Sequence, residues 1–274
     1  MPATKIGQKT LVMGVVNVTP DSFFDGGLHS DVHDAVRHAG DMVRDGADIL
    51  DVGGESSRPG AAPVGEEEEQ RRVLPVIERI LRLGVPVSVD TYKAETARKA
   101  LRMGTSIIND ITAFRGDPEM VEVVAEAGCT YVMMHMQGTP ETMQSQPKYA
   151  DVIDDICAFF EERIAFAVKR GVKEERIWID PGFGFGKTVA QNLELLRRLG
   201  EFKRFGRPIL IGTSNKSTIG RVLNVGTDER TEGTAATIAI GIANGADVVR
   251  VHDVKRMARV AKMTDAILGR GVYD

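Results

Sequence analysis

LVMGVVNV (11–18) is apolar on both of its alternating sides, with Asn17 its one polar residue. A strand with one face in water alternates apolar with polar side chains. A run like this one fits a strand covered on both faces, as in a parallel sheet. The same kind of run recurs at ADILDVGG (47–54), VPVSVDT (85–91), TSIINDI (105–111), TYVMMHM (130–136), RIWIDPG (176–182), PILIGTS (208–214) and DVVRVHD (247–253). Helical spacing fills the intervals. VHDAVRHAGDMVRDG (32–46) puts Val32, Ala35, Val36, Ala39, Met42 and Val43 on one stripe. DVIDDICAFFEERIAFAVKRG (151–171) repeats the pattern and offers Gly171 as a stop.

Eight strand–helix units in succession predict an α/β chain folded as a (β/α)8 TIM barrel, a single domain over residues 1–274. A doubly wound open sheet is the alternative, but it seldom has eight such even units. No Pro/Gly/Ser linker divides the chain. Glycines follow the helical segments in RDGAD, RLGVP and EAGCT, where a positive φ is wanted. EEEE (66–69) suits the start of a helix and a solvated face, and Pro75 should kink or restart that helix. His29, His33 and His38 lack convergent metal-ligand spacing and read as surface residues. The eleven methionines read as packing.

The 42% hydrophobic content is that of a globular protein. A net charge of −4 points to neither a nucleic-acid nor a membrane-surface role, so a phosphate-bearing ligand would need local positive charge. Cys129 and Cys157 make no disulfide framework and fit free thiols in a reducing cytosol. The N-terminus lacks a signal peptide's apolar core, and no run approaches the roughly 20 apolar residues that span a bilayer. A cytoplasmic protein is expected.

A barrel strand can end in any turn, yet nearly every strand here ends in function-capable residues. The series is Asn17; Asp51 and Glu55; Asp90; Asn109 and Asp110; His135 and Gln137; Asp180; Ser214, Asn215 and Lys216; Arg250, His252 and Asp253. In a barrel these ends share one rim, where active sites lie. Asp90, Asn109 and Asp180 offer carboxylate and amide oxygens that suit a flat heterocycle with several N–H donors. Arg58, Arg250 and His252 offer positive charge for phosphate. Asn17 offers a hard oxygen that could ligate Mg²⁺ shared with phosphate oxygens. No His/Cys cluster suggests zinc, and no G-x-S-x-G elbow is present. Lys216 could form a Schiff base, as in barrel aldolases, or could bond a ligand and balance the acids.

IDPGFGFGKT (179–188) ends like a phosphate-binding P-loop, but the pattern requires a glycine where Pro181 stands. Proline has no N–H to give to phosphate. The glycines are read as letting the backbone run close to ligands, with Lys187 and Thr188 beginning the next helix.

Taken together, GVVNVTPDSFFDGG (14–27), DVGGESSRPGA (51–61), SVDTYKAE (88–95), IINDITA (107–113), MMHMQGTP (133–140), DPGFGFGKT (180–188), GTSNKSTIG (212–220) and RVHDV (250–254) resemble the dihydropteroate synthases of folate synthesis. The resemblance covers nearly the whole chain. It implies a transferase that joins 6-hydroxymethyl-7,8-dihydropterin pyrophosphate to para-aminobenzoate, releasing pyrophosphate. It also implies that Asp90, Asn109 and Asp180 read the pterin edge and that Lys216 contacts the ring oxygen. Arg250 and His252 would hold pyrophosphate, and Asn17 would bind the Mg²⁺. Ser57, Arg58, Phe185 and Ser217 would receive para-aminobenzoate. Lys216, Arg250, His252 and Asp180 would be the catalytic set. Two mobile loops and a homodimer are further implications. The family usually has Thr where Ser57 stands, and often Arg where Asn215 stands. Two rivals share the barrel: a methyltransferase acting on methyltetrahydrofolate, which needs no pyrophosphate-holding groups, and a non-catalytic pterin-binding paralogue, which would be expected to lose Lys216 or the SSRPG loop.

Overall fold

A computed structural model describes residues 7–18, 28–57, 60–143 and 147–271, the first four residues of the 28–57 stretch as backbone only. Arg58 and most of the loop after the first strand lie outside these residues, as does the side chain of His29. Strands and helices alternate, with two helices between β7 and β8: β1 (Leu11–Asn17), α1 (Leu28–Arg44), β2 (Ile49–Gly53), α2 (Glu66–Ile80), β3 (Val87–Asp90), α3 (Ala94–Met103), β4 (Ile107–Asp110), α4 (Met120–Ala127), β5 (Thr130–Met134), α5 (Val152–Lys169), β6 (Ile177–Asp180), α6 (Val189–Arg197), β7 (Leu210–Ile211), α7 (Ser217–Leu223), α8 (Thr231–Ala243), β8 (Val248–Val251) and α9 (Val254–Ile267). Each strand falls inside one of the eight apolar runs. The strands form one parallel sheet in the order β6-β5-β4-β3-β2-β1-β8-β7. A single parallel bridge between Ile179 and Ile209 closes the ring from β6 to β7. Across it the Ile179 N–H donates to the Pro208 carbonyl at 3.0 Å. The chain is thus a (β/α)8 barrel.

Two apolar layers hold the barrel. Leu11, Met13, Ile49, Ile107, Val132, Trp178, Leu210 and Val248 pack together as a plug of their own. Their strand neighbours, among them Val12, Leu50, Ile108, Ile177 and Val249, instead pack with the helices. Successive strand residues face opposite sides, so the plug fills the barrel interior. Two residues further along the same strands come Asp51, Asn109, Asp180 and Arg250. Polar side chains therefore occupy the interior layer directly above an apolar floor, toward the C-terminal ends of the strands.

The helices bury the stripes expected of them. Val32, Ala35, Ala39 and Met42 of α1 are buried, and Val36 and Val43 pack beside them. His33 and His38 are exposed. Gly171, at φ 92°, follows the end of α5 in the left-handed conformation that stops a helix. Two expectations change. Helix α2 runs unbroken through Pro75, because Val73, Val76, Ile77 and Ile80 are fully buried against the barrel and hold it there. Glu69 does not lie on a solvated face with the acids before it. It is buried and accepts from Thr91 Oγ1 at 2.8 Å and from Lys93 Nζ at 3.0 Å.

The glycines of 179–188 also have a different reason from the one expected. A Cβ on Gly182 would lie 1.9 Å from the His135 carbonyl oxygen, and one on Gly186 would lie 2.5 Å from that of Gln137. The loop after β6 thus runs against the backbone of the loop after β5, and both glycines have positive φ. Lys187 does not begin a helix. Its buried ammonium donates to the carbonyls of Gly182 at 3.0 Å and Phe185 at 3.1 Å, and meets His135 Nδ1 at 3.0 Å. Thr188 is the N-cap of α6 and forms a capping box with Gln191. Cys129 and Cys157 are buried and unpaired. No helix among the described residues is long and apolar enough to cross a membrane.

Replacing Gly182 by Ala should destabilise the fold by about 3 kcal/mol or more, since a backbone clash adds to a left-handed φ. Urea denaturation of the variant beside the wild type measures it; a cost near zero would mean the two loops are not packed this closely.

Candidate active site

The floor is built from four strands. Arg250 on β8 reaches across the interior and donates from Nε to Asp51 Oδ2 of β2 and from Nη2 to Asp90 Oδ2 of β3, each at 2.6 Å. Asn109 Nδ2 on β4 donates to the same Asp51 oxygen at 3.1 Å. The other oxygen, Asp51 Oδ1, is buried and meets no hydrogen-bond partner among the described residues. Three acidic or amide groups and one guanidinium therefore share a pocket floor closed from below by the apolar plug.

Burial shapes the charge states. Asp90 is pushed up to about 7, by burial first, with Asp51, Glu69 and Asp110 adding to it and Arg250 opposing. Asp180 rises to about 6, again by burial. The Gly182 N–H, which donates to Asp180 Oδ1 at 2.7 Å, opposes that rise, as do Lys216, Lys187 and Arg250. Burial also disfavours the charged guanidinium of Arg250, but Asp51 and Asp90 outweigh it and hold its pKa above the ordinary value. Burial takes Lys187 down to about 7. Asp90, Asp180 and Lys216 thus act within one field, with Arg250 felt by both acids.

One wall is apolar. Phe185, Ile111, Met134, Met136 and Met143 pack together with Tyr92 beside them. The Lys216 ammonium stands over the Phe185 ring at 3.9 Å from its centre, a cation–π contact that fixes the amine near Asp180. Gly184 leaves room for the stem of that lysine: a Cβ there would lie 3.1 Å from Lys216 Cδ. Asn215, just before it, has φ 58° and an exposed side chain. Asparagine enters that left-handed conformation more readily than arginine, which gives a backbone reason for the departure at this position. The Asn215 carbonyl accepts from Arg230 Nη1 at 2.8 Å.

Along the rim, His252 follows β8, with Nδ1 3.0 Å from Ser214 Oγ and its backbone N–H donating to the same oxygen at 3.3 Å. Asn17 ends β1, half-buried beside Gly53 of β2. Ser57 is half-buried in the loop after β2, and Ser217 is the exposed first residue of α7. Among the described residues no three His, Cys, Asp or Glu side chains group to hold a metal. A donor set of one amide oxygen, completed by water and phosphate oxygens, is the kind that Mg²⁺ accepts.

Some strand-end residues serve the fold instead. Asp110 accepts from the backbone of Thr112 and Phe114 and from Tyr131 Oη. Asp253 caps α9. His135 lies against the edge of Phe159 and meets Lys187. The methionine wall went unread in the sequence as part of the site. Its signal was position: Met134 is the next inward residue after Val132.

The model for the family described as "Pterin binding enzyme" matches residues 13–252. The dihydropteroate synthase of Bacillus subtilis strain 168 is 51% identical over 265 residues, covering 96% of this chain and 90% of that one. The dihydropteroate synthase of Clostridium difficile, solved in the presence of pteroic acid, superposes with a TM-score of 0.91 at 47% identity, covering 97% of this chain and 99% of that one. The Xanthomonas albilineans dihydropteroate synthase, solved with 4-aminobenzoic acid, gives 0.90 at 42% identity, over 96% and 94% of the two chains.

Asp180 is held near 6 against an ordinary 3.8, so the native state binds its proton more tightly than the unfolded chain does. That stabilisation is full below about pH 4 and is lost as pH rises through about 6. Asp180→Asn should therefore melt higher than the wild type at pH 8, by on the order of 2–3 kcal/mol, with a smaller gap at pH 5. Calorimetric melting at the two pH values tests this; a gap that shrinks toward pH 8 would contradict it.

Proposed function

The chain belongs to the pterin-binding enzymes and, among them, to the dihydropteroate synthases, and from that premise we propose how its own residues carry the reaction. It transfers the pterinylmethyl group of 6-hydroxymethyl-7,8-dihydropterin pyrophosphate to para-aminobenzoate, yielding 7,8-dihydropteroate and pyrophosphate. The observation that carries this reading is the interior floor, where buried Asn109 and Asp180 and half-buried Asp90 stand at the C-terminal ends of β4, β6 and β3 beside one guanidinium. A ring edge rich in N–H donors satisfies these acceptors, and charge-assisted bonds of this type contribute about 1.5–3 kcal/mol each.

Arg250 has two tasks in sequence. In the free protein it pairs with Asp51 and Asp90. When the pterin's donors take over Asp90, the Nη2 edge of the guanidinium is released while Asp51 keeps Nε. The freed edge then turns to the pyrophosphate, joined by His252 at the rim. Lys216 donates to the ring oxygen, held at its station by Phe185. The bond between the exocyclic methylene carbon and the pyrophosphate oxygen breaks, and its electron pair leaves with pyrophosphate. The positive charge left on the pterin is stabilised by the ionised floor acids. The arylamine nitrogen then bonds to that carbon and releases a proton. Phe185 gives the acceptor ring an apolar face, and Ser57 and Ser217 hydrogen-bond its carboxylate, with Arg58 as its counter-charge. Asn17 would hold Mg²⁺, which when bound supplies neutralising charge for the pyrophosphate.

A cytoplasmic homodimer completes the proposal. Val222 and Leu223 of α7, Ile240 of α8, and Met263 and Ile267 of α9 are all exposed, an apolar concentration on adjacent helices that suits an interface between copies. The two buried thiols without a disulfide suit a reducing compartment.

Purified protein should release pyrophosphate only when Mg²⁺, the pterin pyrophosphate and para-aminobenzoate are all supplied; release without the arylamine would point to a hydrolase. Arg250→Ala should weaken the pterin pyrophosphate at least about tenfold more than the bare pterin alcohol, the worth of a lost charge-assisted bond. Calorimetric titration with both ligands reads the difference, and equal losses would remove the pyrophosphate role from Arg250.

A further inference from the structure

A second buried charge cluster lies beside the floor, and nothing in the reaction above uses it. Lys93, three residues after Asp90, is buried at the N-cap of α3. Its ammonium donates to Glu55 Oε2 at 2.6 Å and to Glu69 Oε1 at 3.0 Å. Glu55 begins the segment that carries Ser57. Its other oxygen accepts from Tyr92 Oη at 2.9 Å, and Oε2 also accepts from the Val64 N–H at 3.2 Å. One carboxylate therefore ties residue 55 to residue 64, closing the base of the loop, and ties that base to residues 92 and 93. Glu69 completes the frame through Thr91 Oγ1, whose oxygen also accepts from the Lys93 N–H at 3.1 Å. The Thr91 N–H in turn donates to the Asn109 carbonyl at 3.0 Å. Just before the loop, Arg72 Nη1 of α2 holds the Gly54 carbonyl at 2.9 Å.

The chemistry fits a positioning device. Two carboxylates share one ammonium, and although burial disfavours the charge on Lys93, the two acids outweigh it and keep its pKa above the ordinary value. Without that ammonium, buried Glu69 and half-buried Glu55 would face each other as bare carboxylates, and the loop base would be the easier of the two to expel, since α2 fixes Glu69. Among the described residues the cluster is tied to the floor by the backbone bond between Thr91 and Asn109, and Glu69 is felt at Asp90 through space.

We propose that Glu55, Lys93 and Glu69 form a clamp that fixes Glu55 and the Ser57 two residues after it against residues 64, 92 and 93, so that these positioning residues control affinity for the arylamine acceptor and leave pterin affinity unchanged. This rests on the reading of Ser57 as an acceptor contact given above.

The test is steady-state kinetics together with calorimetric titration of the pterin pyrophosphate, on the whole chain as wild type, Glu55→Gln, Lys93→Met and Lys93→Arg. In Glu55→Gln and Lys93→Met the KM for para-aminobenzoate should rise about tenfold or more, the worth of a lost charge-assisted bond, while the pterin Kd stays within about twofold. Lys93→Arg, which keeps the charge, should recover part of the loss. An unchanged acceptor KM, a parallel rise in KM and pterin Kd, or an arginine variant no better than methionine would each overturn the clamp. Glu55→Gln keeps Lys93 paired with Glu69, so it reports even if Lys93→Met does not fold. Wild-type turnover in the same assay separates the two readings: its absence defeats the synthase assignment, whereas normal turnover with an unaltered acceptor KM in Glu55→Gln defeats the clamp alone.

Discussion

A guanidinium lodged inside the barrel, reaching from β8 to carboxylates on β2 and β3, is the interaction on which the site depends. Asp51, Asp90 and Asp180 crowd an enclosed space from which water is largely excluded. Left alone they would take up protons or push the strands apart. Arg250 lets them coexist, and it can do so because Val248, two residues earlier, points it inward above the apolar plug. The cost is a floor still poised for protonation, with Asp90 near 7 and Asp180 near 6. A ligand that brings its own N–H donors and positive charge relieves this tension, so the instability of the empty floor becomes part of the binding energy.

The barrel was legible because its strands are buried on both faces. Runs such as LVMGVVNV and TYVMMHM have no alternation to confuse with a surface strand, and the segments between them carry clear helical stripes. The convergence of the rim residues followed from that topology alone. Asp90, Asn109, Asp180 and Arg250 are far apart in the chain, and only a closed parallel barrel brings them to one level.

What stayed hidden was the direction of individual side chains. Asp110 and His135 end strands just as Asn109 and Met134 do, yet they lie one residue further on and face the helices. Strand ends drawn a residue too long mix the two sets. Glu69 looks like its three acidic neighbours until a lysine 24 residues later is found against it. Lys187 carries the same ambiguity: a Gly-Lys-Thr triplet invites a nucleotide, while the fold uses the amine to gather loose carbonyls. Such long-range pairings leave no local periodicity, and no residue type marks them in advance.

The strand β7 has two residues, and one bridge carries the whole of its bond to β6. Every other pair in the ring is laced over at least two registered positions. The wall therefore parts most easily there, and the exchange of backbone amides with solvent should be fastest along that joint. Asp180 ends β6 and Phe185 lies in the loop after it, while Lys216 lies in the loop after β7. A small breath of the cylinder at its weakest stave would widen the gap between acid and amine, giving the finished product a way to loosen without any hinge elsewhere.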